Sequence, residues 1–114
     1  MALYYDLPVY KDTYKLILLI FECTKDFSKE YKYTLGQDMK RDALCLVRSI
    51  YRANKSTQKK EHLENFLDEF ELLKLEIRLA TDLKILSIKK QAEMSLLMNS
   101  IGKQITGWRN ANLV

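Results

Sequence analysis

Arg41, Arg48 and Arg52 stand seven and four residues apart. At 100° per residue they fall within an arc of about 40° on one helix. A guanidinium is a planar fork that makes two parallel hydrogen bonds to phosphate oxygens. A row of three is therefore a grip for a polyanion, driven by counterion release and blind to base identity. Lys55, Lys59 and Lys60 continue the positive charge past the end of the row, and Lys103 and Arg109 add to it near the C-terminus. Tyr51, to one side of the row, offers a weak stacking platform. The plainer alternatives are a solvated face, or arginines paired with acidic residues of a neighbouring helix.

Residues suited to catalysis are missing from the pattern. There is no Gly-rich phosphate loop, no HExxH and no GxSxG. The only histidine, His62, lies among charges and reads as solvated, and no Glu-x-x-His spacing exists for a metal-binding bundle. Cys23 and Cys45 stand alone in separate helical patterns and read as small core or boundary residues. The expectation is a protein that is not an enzyme, with no cofactor and no metal.

The element that must carry the arginine row runs over 35–54. Met39, Ala43, Leu46, Val47, Ile50 and Ala53 form its apolar stripe, nearly opposite the arginines. Thr34 followed by Gln37 predicts a capping box at its start. Three more helices are predicted around it. The first covers 8–27 and opens at Pro8. The third covers 59–85, and the fourth 89–109, with Met94, Leu97, Met98, Ile101, Ile105 and Trp108 inward. The tail from Asn110 to Val114 lacks periodicity and reads as frayed. Short connectors and one apolar seam per helix make an all-α, up-down-up-down four-helix bundle, a single domain over 1–114.

Some apolar surface exceeds what one small bundle needs. Leu72, Leu75, Leu79 and Leu83 form a second stripe on the third helix, and Tyr10, Tyr14, Leu18 and Phe21 a second face on the first. Self-association would cover them, with Leu72, Leu75, Leu79, Leu83, Tyr10 and Tyr14 at the contact. The alternative is a wide seam within one subunit. Glu76 falls inside the apolar arc of the third helix and needs a partner there, either an arginine of the second helix or water at the rim. Gly102 and Gly107 weaken the fourth helix by about 1 kcal/mol each relative to Ala, which predicts a close neighbour there, with fraying of the helix end as the alternative at Gly107.

The totals agree with this reading. A chain of 114 residues, 47% hydrophobic and 30% charged, is long enough for one core, and three Gly and one Pro leave few breaks in long helices. The longest apolar run, Leu16–Phe21, is far short of a membrane span, and no secretory leader is visible, so the expected compartment is the cytoplasm. The net charge of +4 is unevenly spread: residues 59–86 carry five basic and seven acidic side chains, and the rest of the chain is strongly positive. That asymmetry suits an anionic partner for one surface, or helices that pair with each other.

Three segments, LGQDMKRDALCLVRSIYRANKS, FELLKLEIRLATDLKIL and IGKQITGWRNA, occur in this order. Together they resemble the accessory variability determinant proteins of diversity-generating retroelements, over about Leu7 to Ala111. These proteins are similar to a wider group of four-helix bundles encoded in intervening sequences of ribosomal RNA genes, some without a retroelement partner. The resemblance implies a barrel-shaped homopentamer that binds RNA or DNA through a basic surface. It also implies association with the reverse transcriptase that copies a template RNA with errors. The matched contact positions would be Arg41, Arg48, Arg52 and Lys55, while Arg78 and Asp82 would serve packing between subunits. A net charge of +4 is modest for such a protein, although five copies would gather about +20 and gain by avidity.

Overall fold

Pro8 opens helix α1 (Pro8–Thr24). Its fixed φ suits the first helical position, and its missing N–H is one that the helix leaves unbonded anyway. The structure, a computed structural model, describes residues 2–113. A 3-10 turn over Tyr4–Asp6 precedes α1. After α1 come a one-turn helix α2 (Lys29–Lys32) and three long helices, α3 (Leu35–Lys55), α4 (Lys59–Asp82) and α5 (Ile88–Asn110). Val114, at the end of the frayed tail expected from the sequence, lies outside the described residues.

The four long helices pack in a ring. α3 lies against α1 and α4, and α5 lies against α4 and α1. Leu16, Ile20, Met39, Leu46, Ile50, Phe66, Phe70, Leu73, Met94, Ile101 and Ile105 are fully buried between them. The apolar spacing read from each helix thus converges on one core, the condition for a bundle. Val47, Leu97 and Trp108 are half-buried and pack at its edge. Among the described residues no helix is long and apolar enough to cross a membrane.

The helix ends depart from the sequence expectation, each for a local reason. α1 stops at Thr24 rather than continuing to residue 27, and Phe27 reaches the core from the turn that follows. No capping box forms at α3, because the Thr34 hydroxyl donates back to the Glu30 carbonyl at 2.8 Å and closes the turn of α2. α4 ends at Asp82 rather than at residue 85. Lys84 adopts φ 64°, and the amides of Ile85 and Leu86 both return to the Ala80 carbonyl, at 3.0 and 3.2 Å. This left-handed exit satisfies the last carbonyls of the helix. α5 starts at Ile88, where the Ser87 hydroxyl accepts the Lys90 amide at 3.1 Å.

The glycines also sort differently. A Cβ on Gly102 would meet the Phe70 ring at 3.5 Å, an ordinary contact, and one on Gly107 would meet nothing within 4 Å. Gly36 is the position of close approach: a Cβ there would stand 3.2 Å from both the Phe27 ring and the Tyr31 carbonyl oxygen. Its missing side chain lets the first turn of α3 pack against the connector from α1.

Candidate functional site

Alternating helix directions bring the start of α1, the end of α3, the start of α4 and the end of α5 to one end of the bundle. That end collects Arg52, Lys55, Lys59, Lys60 and Arg109, with Lys103 and Arg48 each about two turns in, on α5 and α3. Glu61 and Glu64 interrupt the cations on the α4 side, so positive charge is densest along α3.

The arginine row is not uniform along its length. Arg48 and Arg52 are exposed, and no carboxylate among the described residues forms an ion pair with either. The Arg48 guanidinium lies 3.5 Å from the Cys45 Sγ. Arg41, about 10 Å further along the helix, is held by carboxylates: Nη1 lies 3.2 Å from Asp38 and Nε 3.1 Å from Asp42. The hydrogen bond to Asp42, with the charges of Asp42 and Asp38, raises its pKa above the usual guanidinium value. Arg41 remains open to water, but two anions already face it.

Those anions belong to an acidic cluster between α3 and α4. Glu76 is 7% exposed and Asp42 8%. The expectation that an arginine of the second helix pairs with Glu76 is corrected: the group that faces Glu76 is the Asp42 carboxyl, and Arg41 makes its ion pairs with Asp38 and Asp42 instead. Burial, then the hydrogen bond and charge of Asp42, push the Glu76 carboxyl up to about 8. Asp42 Oδ2 and Glu76 Oε1 are both buried without a hydrogen-bond partner. A proton retained on Glu76 and donated to Asp42 keeps two like charges from facing each other in a poorly solvated seam. About two turns away, the Ser49 hydroxyl donates to Glu69 at 2.6 Å and ties the same helix pair.

The lysines differ in availability. Lys59 turns inward: its Nζ donates to the Ala53 and Asn54 carbonyls at 2.8 and 2.9 Å, and it sits 6.0 Å from the centre of the Trp108 ring. It caps the C-terminus of α3, where the helix dipole favours a cation, and is engaged there rather than presented outward. Lys60 and Lys103 are exposed. Lys55 is exposed, with its ammonium 4.7 Å from the centre of the Tyr51 ring. Arg109 is half-buried, with its Nε enclosed and unpartnered and a terminal nitrogen 3.2 Å from the Asn110 side chain.

The leucine stripe on α4 is exposed: Leu72, Leu75, Leu79 and Leu83 face outward from the single chain, with Leu75 at 60%. Arg78 and Asp82 pair with each other beside it at 3.8 Å. Tyr14 is exposed, while Tyr10 is half-buried and stacks on it at 6.1 Å. Sequence reasoning missed the contribution of Tyr4 and Tyr5. The 3-10 turn places Tyr4 edge-on to Tyr5, Tyr10 and Tyr51, with ring centroids 5.4, 5.5 and 5.2 Å apart. Adjacent tyrosines at 4 and 5 were the only signal, since the turn that folds them onto α3 has no periodicity to read.

A family model described as bAvd-like matches residues 8–112. A comparison with curated proteins finds no match. The matched span takes in all four long helices and every cation described above, and the chain belongs to the bAvd-like family of accessory variability determinants.

Proposed function

We propose that this protein is a non-catalytic accessory subunit of a diversity-generating retroelement. It binds template RNA or DNA through the basic end of the bundle and associates with the reverse transcriptase in the cytoplasm to support mutagenic cDNA synthesis and retrohoming. The observation that carries the reading is the set of cations along the C-terminal half of α3. Arg48, Arg52 and Lys55 project into solvent on one helix without a carboxylate partner among the described residues. The family supplies the retroelement setting. Each phosphate neutralised by this set releases counterions, so the affinity is electrostatic and independent of sequence.

Arg41 has a lesser role in this reading, because a phosphate there competes with Asp38 and Asp42. The exposed leucines of α4 support assembly with further copies of the chain, a homopentamer in the form that the resemblance implies. Assembly multiplies the basic ends on one particle and strengthens binding through linked sites. The same leucines also favour a second reading, a homo-oligomeric interaction module of the wider ribosomal intervening-sequence group, which has no nucleic-acid affinity to lose.

Filter binding to an RNA of mixed sequence separates the two. In the wild type, log affinity should fall linearly with log salt. Replacing Arg48 and Arg52 by alanine should lower the affinity and make the slope shallower by about 1 to 2, close to one phosphate per arginine. R41A should change both far less. Equal effects at Arg41 and Arg48/Arg52, or a wild type that retains no RNA, would refute the assignment.

A further inference from the structure

Beside the cations of α3 lies a group of five tyrosines that the electrostatic reading does not use. Tyr4 is its hub, in edge-to-face contact with Tyr5, Tyr10 and Tyr51, and Tyr14 extends it along α1. The Asn54 amide donates to the Ala2 carbonyl at 2.9 Å and pins the N-terminal segment to the end of α3. The rings therefore come from three separate stretches and are locked together by contacts within one chain. Tyr4 and Tyr10 are half-buried, but Tyr5, Tyr14 and Tyr51 keep 49%, 49% and 44% of their surface open. Cations border the rings: Lys55 over Tyr51, Arg52 next to it in the chain, and the exposed Lys11 one turn from Tyr14. The stretch Tyr4–Tyr14 holds two acidic side chains, Asp6 and Asp12, and Asp12 is half-buried and accepts from Ser100 and Gln104 of α5.

We infer that this surface is a stacking platform for single-stranded nucleic acid, a reading that rests on the polyanion binding proposed above. Held aromatic rings with open surface, interleaved with lysine and arginine, suit a strand with accessible bases. Each base has a π-face to lay on a ring, and each phosphate a cation within reach. In a duplex the bases are already stacked on one another and only the phosphates reach the protein. The cations of α3 serve both forms of nucleic acid, and the tyrosines only one. A base that stacks on Tyr51 displaces the Lys55 ammonium from the ring and leaves it beside the phosphate. The rings are ordered before the strand arrives, so little side-chain entropy is lost on binding.

The test compares oligo-uridylate with an RNA duplex of equal phosphate number, by fluorescence anisotropy at fixed salt. Tyr14→Ala with Tyr51→Ala should weaken binding to the single strand at least about tenfold while duplex affinity stays at the wild-type value. Tyr14→Phe with Tyr51→Phe should restore the single-strand affinity. Tyr14→Ala alone, at a ring whose aromatic contact is Tyr10, should show part of the effect and serves if the double variant melts early. A wild type that binds neither probe overturns the polyanion reading and this inference with it. A wild type that binds both, with alanine variants that lose neither or lose both equally, overturns this inference alone. A changed particle mass with intact single-strand binding assigns the rings to a protein contact and overturns it as well.

Discussion

Replacing Glu76 by glutamine should make the protein more stable at alkaline pH and leave it nearly unchanged at acid pH. The Glu76 carboxyl is raised from 4.5 to about 8, first by burial and then by Asp42. Between those two values the folded chain keeps a proton that the unfolded chain has released. Stability from this site is complete below pH 4.5, declines as pH rises through the interval, and is gone above about 8. At about 1.36 kcal/mol per pKa unit, the swing is on the order of 3–5 kcal/mol. Glutamine has the shape of the protonated acid, donates toward Asp42 and does not titrate. Urea unfolding of wild type and E76Q across pH 4 to 10 checks this, with the difference in stability near zero at the acid limit and growing to about that swing by pH 9. For a chain of this length it corresponds to a gap on the order of 10–20 °C in Tm at alkaline pH. Asp42→Asn should shrink the swing without abolishing it, because burial is the larger cause. Wild-type and E76Q curves that run parallel over the whole range would refute the shared-proton account. So would an E76Q variant that is less stable at every pH.

The remaining predictions concern assembly and packing. Leu75→Asp places a charge at the most exposed leucine of the α4 stripe. It should reduce the particle mass measured by light scattering and leave the helical circular dichroism unchanged, whereas unaltered mass would exclude this stripe from the contact between copies. Gly107→Ala should stabilise the protein by about 0.5–1 kcal/mol, since the position is helical and a Cβ there meets nothing. Gly36→Ala should destabilise it in the same thermal melts, because one of the two contacts at 3.2 Å is a backbone carbonyl that cannot turn aside.

What the sequence made legible follows from what is periodic. Met39, Ala43, Leu46, Ile50 and Ala53 recur at helical spacing, and all five are fully buried. The leucine stripe was legible as a second face of the helix, but the choice between an outward face and a wider seam within one subunit waited on the packing of α4, which leaves all four leucines exposed. Helix ends were misread where a single residue decides them. Lys84 in a left-handed conformation looks in sequence like any other lysine near a helix end, and the Thr34 hydroxyl can either accept from the Gln37 amide or donate to the Glu30 carbonyl, as it does. Lys59 looked like part of a basic run, and only the position of the α3 carbonyls shows that it is a cap.

The arginine row shows most clearly where reading by helical angle runs out. Arg41 and Arg48 differ by about 20° around α3 and have the same chemistry. Their difference comes from the neighbouring helix and from the residues beside them. Glu76 lies across from Asp42, so Asp42 and Arg41 are drawn into a cluster of ionisable groups, while Arg48 reaches the Cys45 sulfur and pairs with no carboxylate among the described residues. In the early turns of α3 the negative charge of Asp38 and Asp42 stands against the arginine, and in its last turns no such charge does. A polyanion meeting this helix therefore gains most near its C-terminal end, where the tyrosines also converge. If the cluster around Glu76 were what kept Arg41 from binding, Asp42→Asn would release that arginine and raise RNA affinity as Arg41 became available. An unchanged affinity in that variant would show that the position of Arg41, away from the tyrosines, matters more than its ion pairs.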